Sequence, residues 1–181
     1  MSPLDCSGAR YAPYYCEENV YWLARDDLEA RPDRSGGDPR VVLISNTHRA
    51  VAVAAQRAGR GPARVVVWDY HAVYVRDRLV YDLDSVLSCP APIEEYCAAT
   101  FPAALRESAP AYAPVFSVIP APDYLRVFSS DRSHMRDEHG LYRQGPPPWP
   151  PIFREARGTT LFALLDGGHE AVASYGADLC G

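Results

Sequence analysis

The chain has 181 residues and a mass of 20.0 kDa, with a formal net charge of −5 and no lysine- or arginine-rich run. An acidic chain without a basic stripe is not expected to bind nucleic acid, and no apolar stretch reaches the roughly 20 residues of a membrane-spanning helix. One domain over residues 1–181, with a sizeable core, is expected.

The first predicted element is a helix opening at Cys16. Pro13 stands just ahead, Glu17 and Glu18 place acids in the first turn, and Val20, Tyr21, Trp22 and Leu23 continue the run. A thiol at such a terminus gains thiolate stabilisation from unpaired backbone amides, and the same amides can bind the oxygen of a tetrahedral intermediate. Glu17 and Glu18 oppose that thiolate. A loop at Gly36-Gly37 leads to a strand over Val41 to Ile44, and a second strand-like segment carries Val51, Val53 and Gln56.

Val65 to Val75 and Leu79 to Leu83 are rich in valine, tyrosine and tryptophan and read as strands. Arg76-Asp77-Arg78 between them is too short for a parallel crossover, so they form a hairpin. A two-residue turn at Arg76-Asp77 pairs Val73 with Val80 and His71 with Asp82. Directly opposed residues share a face with β-carbons about 5 Å apart, which lets a carboxylate hold one imidazole nitrogen while the other faces a nucleophile.

Helices are predicted over Ile93 to Phe101 and Ala103 to Ser108, a strand over Val115 to Ile119, and a further helix from Ala121. The segment that follows Phe128 is polar and then proline-rich. Its Trp149, set among prolines, suits a rigid strap over the surface or a polyproline ligand for a recognition module. His134 in this segment reads as a surface group. The whole pattern is α+β, an antiparallel sheet with helices to one side.

Besides Cys16 there are Cys6, Cys89, Cys97 and Cys180, with no CxxC pair and no zinc-ligand spacing. An odd count without a signal peptide predicts a reduced, cytoplasmic protein, with Cys89 and Cys97 serving as small buried hydrophobes.

Six segments in order, YYCEENVYWL, VLISN, VVWDYHAVY, VYDLDSVLSCP, FSSDRSHM and PPPWP, span about residues 11–151 and resemble the protein N-terminal glutamine amidohydrolase family. The resemblance implies a papain- or transglutaminase-like cysteine hydrolase fold and a triad of Cys16, His71 and Asp82 in chain order. It implies an N-terminal glutamine on a peptide or protein as substrate, hydrolysed to glutamate and ammonia with no metal or organic cofactor. A monomer is expected. The stretch from about Glu155 departs from the tryptophan-containing ending of the family.

An N-terminal glutamine carries an ammonium, which calls for carboxylates or carbonyls at the pocket mouth. Glu18, Asp69 and Asp131 are the candidates, with Ser133 from the same loop as Asp131, and Tyr14, Tyr15, Trp68 and Tyr70 as pocket lining. The same triad also suits acyl transfer, or amide hydrolysis on a small molecule or a dedicated peptide. A non-catalytic binding module acting through the proline-rich segment is the remaining reading.

Overall fold

A computed structural model describes residues 4–31, 37–153, 161–177 and 179–180. The loop predicted at Gly36 and the start of the divergent ending at Glu155 lie outside the described residues. At the centre is strand β1, Arg40–Ser45, flanked by β4, His71–Arg76, and β7, Val115–Pro120, both antiparallel to it. Beyond β4 lie β5, Leu79–Tyr81, and β6, Ala91–Pro92, and beyond β7 lies β8, Ser174–Ala177. The full order is β6-β5-β4-β1-β7-β8. A separate two-stranded ribbon pairs β2, Val51–Val53, with β3, Val66–Trp68.

Both faces of the sheet are covered, which is why β1 reads as an unbroken apolar run rather than an alternating one. Val41, Leu43, Ala72, Tyr74 and Ile119 face α1, Cys16–Ala30, together with α4, Ala121–Val127, and α5, Leu161–Leu165. Val42, Ile44, Val73, Val75 and Val118 face Tyr96 and Cys97 of α2, Ile93–Thr100, and the valines of β2. The helices therefore do not all lie on one side, because α2 covers the second face. The predicted helix over Ala103 to Ser108 is α3.

The hairpin forms with its turn one residue later than predicted. Asp77 and Arg78 have φ of 53° and 59°, the paired left-handed conformations of a two-residue turn whose twist matches the strands. Arg76 then pairs with Leu79, Val75 with Val80 and Tyr74 with Tyr81, two residues off the expected register. A two-residue shift preserves the faces, so Asp82 stays on the face of His71. It follows the end of β5 as a diagonal neighbour rather than a ladder partner. Val65 to Val75 is likewise not one strand. Asp69 and Tyr70 carry the chain from the ribbon to the main sheet, and Ser45 Oγ donates to the Asp69 carbonyl at 2.6 Å across that gap.

One buried charge cluster pins α1 to the sheet. Asp27 accepts from Arg31 Nε at 2.8 Å, from the Tyr74 hydroxyl and from Arg76, and both Asp27 and Arg76 are fully buried. Burial opposes ionisation of Asp27, but bonds from Tyr74, Arg31 and Arg76 outweigh it and hold the carboxyl below its ordinary range. Asp27→Asn is expected to cost about 3–5 kcal/mol, because it strands two guanidinium groups beside a neutral amide. Urea unfolding measures this, and a loss under about 1 kcal/mol would contradict it.

Four cysteines predicted to be unpaired thiols form two disulfides. Cys6 joins Cys89 with Cα atoms 5.9 Å apart, and Cys97 joins Cys180 at 5.3 Å. Sequence spacing hid these pairs because each spans 83 residues and is made by folding alone. The pairing removes the argument from free thiols to a reducing compartment. Cys16 is the free cysteine among the described residues, and it is buried.

Candidate active site

The residues just before α1 reverse sharply. Tyr14 takes φ of 69°, a left-handed conformation uncommon for an aromatic residue, and Tyr15 N–H bonds back to the Ala12 carbonyl at 3.3 Å. Asn19 fixes this turn, its side chain accepting from Ala12 N–H and donating to Ala12 C=O, both at 2.9 Å. Cys16 is thereby set as the first residue of the helix, where its N–H has no intrahelical acceptor. Tyr124 of α4 adds a bond from its hydroxyl to the Glu17 carbonyl at 3.0 Å.

The thiol shares a cleft of about 80 Å³ with Tyr14, Trp68, Asp69, Tyr70, His71, Asp84, His134 and Met135. That is several times the room one water requires. A groove of about 410 Å³ between Pro39, Arg40, Val118 and Pro122 is larger but offers no nucleophile. His71 begins β4, and its Nε2 lies 2.9 Å from Asp82 Oδ2. Trp68 stacks over the imidazole, with centroids 6.3 Å apart and planes at 13°. With Nε2 committed to Asp82, Nδ1 is the ring nitrogen left to serve the thiol. The Ala72 backbone N–H favours the thiolate, against burial and the nearby acids.

Asp82 is held from four sides. Besides His71, its oxygens accept from the Tyr96 hydroxyl at 2.9 Å, Gln56 Nε2 at 3.2 Å and the Asp84 backbone N–H at 2.9 Å. Burial works against its charge, but His71, Tyr96 and the Asp84 amide keep its carboxyl below the usual range. Burial would lower the pKa of His71, and the Asp82 charge reverses that, so the imidazole holds its proton more tightly than free histidine. The Cys16 thiol is pushed well up, first by burial and then by Glu17, Asp84 and Asp82. Burial, with the acids behind it, thus outweighs the helix terminus, and the sulfur holds its proton more tightly than a free thiol.

Glu17 lies buried beside Cys16, whose thiol donates to Oε2 at 3.8 Å, and the Tyr70 hydroxyl favours its ionised form against burial. Burial raises Glu17 from 4.5 to about 8. A raised folded pKa stabilises the fold fully below the unfolded value of 4.5, and this support drains away as pH climbs to 8. Glu17→Gln is expected to flatten that slope, narrowing the wild-type fall by on the order of 4 kcal/mol between pH 4.5 and 8. Denaturant titrations at several pH values measure it, and parallel wild-type and variant curves would refute it.

The predicted binding residues divide. Asp69 and Trp68 line the cleft. Tyr15 does not: its side chain is in the core, with its hydroxyl on the Gln144 carbonyl at 3.3 Å, and Tyr14 takes the cleft position. Glu18 is fully buried and engaged by Arg132 at 2.7 and 2.8 Å and by Trp149 Nε1 at 2.7 Å. It therefore fastens the 129–153 segment to α1 and has no face on the cleft. Trp149 is part of this latch, so the strap reading of the proline-rich segment fits and the free polyproline ligand does not. Asp131 and Ser133 bond each other, Ser133 N–H to Asp131 at 3.0 Å, outside the cleft. His134, expected on the surface, instead lines the cleft 3.2 Å from the Tyr70 hydroxyl and packs against Tyr70 and Phe162.

Tyr70, expected as pocket lining, lines the cleft, whereas Gln56, Tyr96, Tyr11 and Asn19 were missed. Gln56 and Tyr96 reach Asp82 from separate elements, and no local pattern marks either. Asn19, inside the segment around Cys16, was the one within reach of a sequence argument, since a buried amide in a first helical turn calls for backbone partners.

An antiparallel sheet delivering an imidazole to a cysteine at a helix N-terminus is how papain- and transglutaminase-like cysteine hydrolases are built, and the chain has that architecture. A family model described as N-terminal glutamine amidase matches residues 11–177, and the chain belongs to that family. It is 42% identical over 180 residues to a protein of Drosophila pseudoobscura pseudoobscura, covering 94% of this chain and 84% of the relative. That protein is named protein N-terminal glutamine amidohydrolase. A Drosophila mojavensis protein of the same name is also 42% identical with the same coverage, and one from Drosophila grimshawi is 42% identical over 155 residues, covering 82% and 72%.

Proposed function

We propose that this chain hydrolyses the side-chain amide of an N-terminal glutamine on a peptide or protein, giving N-terminal glutamate and ammonia. The observation that carries the reading is one cleft holding Cys16 and His71, with His71 fixed 2.9 Å from Asp82, in a chain of this family.

His71 Nδ1 takes the thiol proton as Sγ attacks the side-chain carbonyl carbon, and Asp82 holds the tautomer and stabilises the imidazolium that forms. The oxyanion is met by the Cys16 N–H at the start of α1. Collapse breaks the C–N bond, His71 returns the proton, and ammonia leaves a γ-glutamyl thioester. Water, deprotonated by His71, then attacks the thioester. The C–S bond breaks, the thiol recovers its proton, and glutamate departs. The small cleft suits an unbranched side chain entering with its terminus.

The test is ammonia release from a short peptide beginning with glutamine, set against the same peptide N-acetylated. Release from the free-amine peptide alone supports the reading, and equal release from both, or from neither, sinks it.

A further inference from the structure

Resting on the amidohydrolase reading above, the geometry assigns to Asp84 the task of receiving the α-ammonium of the substrate, making it the residue that restricts the enzyme to unblocked N-termini. In glutamine the α-nitrogen is four bonds from the carbon under attack, so it stays within roughly 5 Å of that carbon. With a hydrogen bond of about 3 Å added, the acceptor must lie within roughly 8 Å of that carbon, among the groups that line the cleft. A carboxylate oxygen of Asp84 and a ring nitrogen of His71 lie within 4.8 Å of each other, and Asp84 lines the cleft with Cys16.

The other acids near the site are occupied or misplaced. Asp82 is saturated by four donors, and Glu18 belongs to Arg132 and Trp149. Glu17 accepts from the Cys16 thiol and does not line the cleft. Asp131 is off the cleft. Asp69 is exposed at the rim, where its carboxylate accepts from Tyr70 N–H at 3.0 Å.

Asp84 shares with Glu17 its burial and, among the described residues, its lack of an ion pair but, unlike Glu17, lines the cleft. It is only 7% exposed, and no ion pair to it forms among the described residues. Its backbone is anchored on both sides, the N–H on Asp82 and the carbonyl accepting from Arg57 N–H at 2.7 Å. Its Oδ1 accepts from the Tyr11 hydroxyl at 2.7 Å. A buried carboxylate without a cation is costly to keep, and a cationic substrate supplies what is missing. The groups acting on it are His71, Asp82, Tyr11 and Arg57, with burial the largest influence and an upward one. An arriving ammonium also cancels one of the charges that hold the Cys16 thiol up, so recognition of the terminus and activation of the sulfur coincide.

The experiment compares kcat/KM for a glutamine-initiated peptide with that for the same peptide carrying hydrogen in place of the α-ammonium. Wild type is expected to prefer the ammonium by about 30-fold or more, the scale of one buried charge contact. Asp84→Asn is expected to bring the two substrates within about 3-fold, while Asp69→Asn keeps most of the preference. A ratio is read, so partial unfolding lowers both rates and cancels. Should Asp84→Asn be inactive on both, the same ratio is taken from the Kd values of Cys16→Ala and of Cys16→Ala combined with Asp84→Asn. A preference that survives in the Asp84 variant, or that vanishes in the Asp69 variant, overturns the assignment. Absence of ammonia release by wild type would instead overturn the amidohydrolase reading.

Discussion

Cys16→Ala is expected to lower ammonia release from a glutamine-initiated peptide by about 10⁴-fold or more. The cleft residues that remain, such as Asp69, Asp84 and His134, offer no comparable nucleophile in reach of His71, so the covalent route closes altogether. The backbone should tolerate the change. Cys16 is buried but small, and α1 is held by Asn19 on Ala12, Tyr124 on the Glu17 carbonyl and the Asp27 cluster. The melting temperature is therefore expected to stay within a few degrees of wild type, roughly the shift that 1 kcal/mol makes. A variant that keeps more than a tenth of wild-type turnover would remove Cys16 from the chemistry.

Asp82→Asn comes second in size, with an expected loss of about 10²–10⁴-fold in kcat. The change removes the charge that stabilises an imidazolium on His71, and an amide NH₂ facing Nε2 favours the tautomer with its proton on Nδ1. That tautomer cannot accept the thiol proton. The cost extends to stability, because Tyr96, Gln56 and the Asp84 amide all donate to this carboxylate. A donor forced among donors costs about 1–3 kcal/mol. The pH profile separates the catalytic part from the structural one. His71 is held above its ordinary pKa by Asp82. Without that charge burial is opposed by the weaker influence of Asp84 alone, and the limb that reports His71 moves to lower pH. A uniform fall in rate with an unmoved limb would mean Asp82 acts on the fold alone.

Much of the site was legible because its parts are local. A cysteine before two acids and an apolar run marks a helix start, and the apolar strands around His71 and Asp82 mark a hairpin. Parity protected the pairing even though the turn fell at Asp77-Arg78 and moved the register by two. The break at Asp69-Tyr70 was not legible, since Val66 to Val73 is equally strand-like in either sheet. The fates of Glu18 and Tyr15 were hidden for a different reason. Each sits beside the thiol in sequence, but a helix turns by about 100° per residue, so neighbours in the chain point to different surroundings. Glu18 met Arg132, more than a hundred residues away, and no local pattern announces such a partner.

The two disulfides each close the same length of chain, 83 residues from Cys6 to Cys89 and 83 from Cys97 to Cys180. The molecule is thus two covalent rings in series, joined by the short tether from Pro90 to Tyr96. Cys16, His71, Asp82 and Asp84 all lie in the first ring, while His134 and the strap around Trp149 lie in the second. A protease that cuts once inside either ring opens it without releasing a fragment. Nicked chains should migrate intact until a reductant is added, and then separate into pieces that show which ring was cut.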